Sequence, residues 1–231
     1  MNSVDAGLFS AVKMGELRGI QKCLDRGANL NAVNKRKQTV LMICTNVETL
    51  DLLITKGADL DARDYEGATA LFGAAERRDP EIVRLLLNRG ADVNARDNRG
   101  MTALFGASIW HKPENVRLLL EHGADANARN DMGYTPLMRS AWPWPADTEA
   151  IETLNHLLKH GADPNAVDDE GRTALIHMLI DEQHDAGYEE IVRLLIGYGA
   201  NTTIVDSENN TALSLSVRRG LNGVVTLLSQ M

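Results

Sequence analysis

Gly90-Ala91-Asp92-Val93-Asn94-Ala95-Arg96-Asp97, followed by Asn98-Arg99-Gly100-Met101 and Thr102-Ala103-Leu104, is the stretch that decides the fold. Its first word, Gly-Ala-(Asp/Asn), returns at Gly27, Gly57, Gly123, Gly161 and Gly199, giving steps of 30, 33, 33, 38 and 38 residues. Its last word returns in fixed phase as Thr39-Val40-Leu41, Thr69-Ala70-Leu71, Thr135-Pro136-Leu137, Thr173-Ala174-Leu175 and Thr211-Ala212-Leu213. Self-similarity at a period near 33 means a stack of small units, each unable to bury its apolar face alone.

Between the two words the pattern predicts two short amphipathic helices. The threonine caps the first, and an apolar run such as Ile82-Val83-Arg84-Leu85-Leu86-Leu87 forms the second before glycine ends it. Phase and period together make the chain resemble the ankyrin repeat. The resemblance implies an all-α solenoid of about seven helical hairpins with β-hairpin-like tips, stacked with a right-handed turn. We read one domain over 1–231: an N-terminal cap at 1–33, internal repeats at 34–64, 65–97, 98–130, 131–168 and 169–206, and a C-terminal cap at 207–231. The last helix is expected at 224–230, with no tail left for a second domain.

Two departures from the family pattern stand out. The position of the motif histidine holds Met42, Phe72, Phe105, Met138, Ile176 and Ser214, so apolar stacking between inner helices is expected in place of a histidine network. The Asp-x-x-Gly tip of Asp64–Gly67, Asp97–Gly100 and Asp168–Gly171, nearly kept at Asn130–Gly133, decays at Asn34–Lys37 and Asp206–Asn209. There another residue must take over the turn that glycine favours.

Composition agrees with a helical, soluble chain. Hydrophobic residues make up 44% and aromatic ones only 4%, which suits short close-packed helices better than a β-sandwich. Cys23 and Cys44 have no metal-ligand spacing and read as buried reduced thiols. No signal-peptide or membrane-span pattern occurs, so a cytoplasmic protein is expected and the glycosylation-type triplets at Asn201 and Asn209 carry no weight.

The shared residues build the scaffold, which leaves the unshared exposed ones to select a partner. The resemblance implies a binding surface at the tips and along the concave face of the inner helices. Carried over position by position, these are Tyr65, Glu66, Arg99, Met132 and Tyr134 on the tips and Glu76, Arg77, Ile109 and Trp110 at inner-helix ends. The three tryptophans, Trp110, Trp142 and Trp144, all fall in two adjacent repeats, and tryptophan is enriched among interface hot spots. The competing reading is that Trp142-Pro143-Trp144-Pro145 pins its own inserted loop. Both 38-residue repeats carry about five extra residues between their helices, near 142–148 and 181–187, and insertions in such arrays gather on the binding side.

The formal net charge of −8 has one source. Residues 163–190 hold nine carboxylates, Asp181 and Glu182 among them, against Arg172 alone, which leaves 23 acidic and 23 basic side chains elsewhere. Such a segment steers a basic partner surface, although a merely solvated face is the plainer reading. Lys35-Arg36-Lys37 is too short for a nucleic-acid footprint, and a pI near 5.3 disfavours nucleic acid altogether.

No phosphate loop, dinucleotide motif, HExxH, GxSxG or EF-hand loop is present. His177 and His184 near Asp181 and Asp185 lack zinc-site spacing. We therefore expect no enzyme, no cofactor and no metal, the remote alternative being a pocket built across repeats. The expected function is a monomer that binds one folded protein, with neither nucleic acid nor membrane as a target. It would act as a stoichiometric inhibitor or immunity-type protein, or alternatively as an adaptor bridging two proteins.

Overall fold

The computed structural model describes residues 2–77, 79–141, 148–180 and 188–230. Among these residues there are fourteen α-helices and no strands. The first seven are α1 (Ser3–Met14), α2 (Leu17–Asp25), α3 (Val40–Ile43), α4 (Val47–Thr55), α5 (Ala70–Glu76), α6 (Pro80–Asn88) and α7 (Ala103–Ile109). The others are α8 (Pro113–Glu121), α9 (Pro136–Ser140), α10 (Thr148–Lys159), α11 (Ala174–Ile180), α12 (Tyr188–Gly197), α13 (Ala212–Arg218) and α14 (Asn222–Ser229). The last helix thus begins two residues earlier than its apolar run suggests, because the polar Asn222 and Gly223 form its first turn.

Consecutive helices pair as antiparallel hairpins, and the pairs stack in two layers. The odd-numbered helices contact one another in chain order as an inner layer. The even-numbered ones form the outer layer, with contacts running from α4 through α6 and α8 to α10 and between α12 and α14. The interior is one continuous apolar cluster from Leu8 to Leu228, as expected where each unit is stabilised by its neighbours.

The recurring words have physical jobs. Thr69, Thr102, Thr135 and Thr211 accept at their hydroxyls from the third residue of the following helix, an N-cap contribution of about 1 kcal/mol each. Thr39 breaks the rule, since its buried hydroxyl has no hydrogen-bond partner. At each tip the Asp or Asn accepts twice. Asp97 Oδ1 takes the N–H of Arg99 and of Met101, both at 2.8 Å, and Asn34, Asp64, Asn130, Asp168 and Asp206 repeat the pattern. Where the sequence loses the tip glycine, Lys37 and Asn209 adopt φ of 58° and 60° in its stead.

The Gly-Ala-Asp turns lock unit to unit. The Asp125 N–H donates to Asn94 Oδ1 at 2.9 Å, Asp163 to Asn127 at 2.7 Å and Asn201 to Asn165 at 2.6 Å. Each of these asparagines returns a donor to the next turn, at the carbonyls of Gly123, Gly161 and Gly199. A parallel arginine ladder joins Arg63 to the Arg96 carbonyl, Arg96 to that of Arg129, and Arg129 to that of Val167.

One expectation needs correcting: Cys44 is buried, but Cys23 is only half-buried; both are free thiols. No helix of the described residues is long and apolar enough to cross a membrane.

Candidate functional site: the face of tips and inner helices

Apolar stacking replaces the histidine network at the middle units. Phe72, Met101 and Phe105 form a small second apolar cluster, with Ala68, Ile109 and Tyr134 packed against it. At two other units the residue closes the cap. Met138 Sδ accepts from the Thr135 N–H at 3.4 Å, and Ser214 Oγ from the Thr211 N–H at 2.9 Å. Phe72 and Phe105 are themselves buried, so they make a floor and not a contact surface.

Above this floor two concavities lie side by side. The first, about 610 Å³, is bounded by Arg36, Tyr65, Glu66, Glu76, Arg77 and Arg99, with Met42 and Phe72 beneath. The second, about 450 Å³, is bounded by Arg99, Ile109, Met132, Tyr134 and Arg139 over Met101 and Phe105. Arg99 is common to both. Of the residues singled out in the sequence, eight therefore surround one continuous surface.

Trp110 joins that surface through Glu76, whose carboxylate accepts from its indole. Burial pushes the Glu76 carboxyl above the usual range, and the indole hydrogen bond pulls it back. Gly106 makes room for this reach, since a Cβ there would sit 2.9 Å from Glu76 Cγ. Trp110 is 49% exposed, Tyr65 61% and Met132 55%, which leaves three large apolar groups facing water on one side. The Lys37 ammonium sits 5.0 Å from the Tyr65 ring centre. Trp142, Trp144, Asp181 and Glu182 lie outside the described residues.

The sequence reading missed the support behind Tyr134. Its ring meets His177 edge to face at 5.0 Å and carries the Arg139 guanidinium at 5.7 Å. His177 is in turn buried and bonded to Asp168 Oδ2 at 2.8 Å, with both side chains 1% exposed. Burial lowers the His177 pKa, with the Asp168 hydrogen bond opposing. Burial likewise lowers that of Arg139. In sequence this histidine stands out only beside His184 as a metal ligand without zinc-site spacing; it lies one residue beyond the motif position, which hides its structural role. Among the described residues no group of three or more His, Cys, Asp or Glu is gathered as a metal site would require.

The charge of the face is uneven in its pairing. Asp64 is held by the backbone N–H groups of Glu66 and Ala68, and Glu66 lies 3.9 Å from Arg99. Arg36 and Arg77 are exposed, and among the described residues neither guanidinium makes an ion pair.

The comparisons agree with this architecture. Family models described as ankyrin repeats match residues 8–97 and 144–231, with a further single ankyrin repeat at 99–131. Among solved structures, the ankyrin repeat domain of Bcl-3, described as a unique member of the IkappaB protein family, superposes with a TM-score of 0.79. It is 31% identical, over 94% of this chain and 97% of that one. EF0377, an ankyrin repeat protein, superposes with a TM-score of 0.71 at 27% identity, over 80% of this chain and 92% of its own. One curated relative, an L-asparaginase of Dirofilaria immitis, is 35% identical over 79 residues. Those residues are 33% of this chain and 13% of that enzyme, too small a share to carry its activity across. With matched repeats over most of its length, helical hairpins stacked in two layers and close structural neighbours of the same kind, this chain belongs to the ankyrin-repeat family.

Proposed function

We propose that this chain binds one folded partner protein on the face framed by its hairpin tips and inner helices. Ankyrin repeats are protein–protein interaction modules, typically non-enzymatic, and their extended concave surface is where they act. The observation that carries the reading is the meeting of Tyr65, Glu66, Glu76, Arg77, Arg99, Ile109, Met132 and Tyr134 around two adjoining concavities. An exposed tryptophan, tyrosine and methionine among charged neighbours is the composition of an interface core with a polar rim.

The role we favour is that of a stoichiometric inhibitor or immunity-type protein, acting in the cytoplasm as a monomer by covering its partner's working surface. The acidic segment at 163–190 supports a partner with a basic patch, which it would draw in by long-range attraction. An adaptor would need a second, separate binding patch.

Affinity capture from native lysate tests both levels. The wild-type chain is expected to retain one protein that a Tyr65→Ala, Trp110→Ala, Met132→Ala variant loses while keeping its circular dichroism. Retention by both rejects this face as the interface. If the captured partner is an enzyme left fully active by excess chain, the inhibitor role falls and the adaptor takes its place.

A further inference from the structure

The first concavity carries three arginines, Arg36, Arg77 and Arg99, and three carboxylates, Asp64, Glu66 and Glu76. Asp64 accepts from backbone donors, Glu76 bonds the Trp110 indole, and the exposed Glu66 lies 3.9 Å from Arg99, which stands closer, at 3.6 Å, to Asp97. Arg36 and Arg77, both exposed residues, flank the first concavity, and among the described residues neither makes a salt bridge, although Arg77 lies near enough to Glu76 to favour its charged form. The second concavity differs in kind: Met101, Phe105, Ile109 and Tyr134 give it an apolar lining. A pocket flanked by two arginines without a salt bridge and an apolar pocket therefore stand next to each other on one face.

We propose, on the basis of that binding reading, that the occupant is an extended acidic-and-apolar segment of the partner. It places an aspartate or glutamate between Arg36 and Arg77 and a large apolar side chain in the second concavity. The first concavity is centred between α3 and α5, the second between α7 and α9. Two packing steps at ~8–10 Å each separate them by ~16–20 Å, which an extended chain at ~3.3 Å per residue crosses in about five or six residues. Guanidinium groups suit the first subsite because their planar fork matches a carboxylate. The apolar subsite suits Phe, Leu or Met, whose burial supplies more affinity than an exposed charge pair.

Panning phage-displayed random dodecapeptides on the full chain tests the motif. Peptides with Asp or Glu five or six residues from Phe, Leu or Met should be enriched, in either order. A synthetic copy of the leading peptide should bind an Arg36→Ser, Arg77→Ser variant about tenfold more weakly in low salt, while an Arg84→Ser, Arg117→Ser variant on the outer helices binds it normally. Enriched peptides without an acid, equal binding to the Arg36→Ser, Arg77→Ser variant, or no enrichment at all would each overturn the motif. Peptides that lack the acid yet are lost by the Tyr65→Ala, Trp110→Ala, Met132→Ala variant would overturn it and leave the binding face standing. Peptides indifferent to both concave variants would remove the face as well.

Discussion

The side of the molecule that holds the Gly-Ala-Asp turns and the side that holds the tips and inner-helix ends are built from the same repeats on opposite terms. On the first side three successive units do the same thing. Asn94, Asn127 and Asn165 each accept from one neighbour's backbone and donate to its glycine carbonyl. On the second, equivalent inner-helix positions hold Glu76 in one unit and Ile109 in the next, or Arg77 and then Trp110. Regularity marks the residues that hold the stack together, and irregularity marks those free to select a partner.

The contrast predicts where substitutions cost stability and where they cost only binding. Leu119, fully buried between the layers, should lose about 2–5 kcal/mol on change to Ala, read as a lower midpoint in denaturant unfolding. Truncating His177 to Ala, which leaves Asp168 Oδ2 buried without its donor, should cost about 1–3 kcal/mol.

The same histidine gives a pH dependence. Its folded pKa is lowered from 6.5 by burial, so below about pH 6.5 the unfolded chain takes up the proton more readily than the folded one. Stability present above that pH is lost as pH falls toward the folded pKa. His156, also lowered by burial, acts in the same direction. Unfolding measured across pH 5 to 7.5 should therefore show a slope that shrinks in the His177→Ala variant.

The rung at Asp61 is incomplete, which offers a gain instead of a loss. Asp61 accepts from the Asp92 N–H at 3.1 Å, but a carboxylate has no donor to return to the Gly90 carbonyl. Asp61→Asn should supply it and add about 0.5–1 kcal/mol, seen as a raised unfolding midpoint. The smallest stability effect belongs to the opposite side. Met132→Ala should shift stability by about 0.5 kcal/mol or less, as exposed sites do, while lowering partner capture.

Much of this organisation was legible in the sequence because repetition multiplies weak signals. A single Thr-Ala-Leu or Gly-Ala-Asp means little, whereas six copies of each in phase specify helix caps, turns and stacking partners. The exposed tip residues followed from position alone. What escaped were contacts between units that break the period. Glu76 reaches Trp110 only because Gly106 leaves space, and His177 reaches Asp168 from one position past the motif. Arg36, read in sequence as part of the basic tip at 35–37, and Arg139 each look like an ordinary surface cation until the neighbouring repeat is placed beside it.

On the proposal above, selection resides on the face of tips and inner helices. Amide hydrogen exchange of the chain, alone and with its captured partner, tests it directly. Slowed exchange is expected at the tips around 64–68, 97–101 and 130–134 and in α5 and α7, with α4, α6 and α8 unchanged. Protection confined to the outer helices, with the tips unaltered, would contradict it.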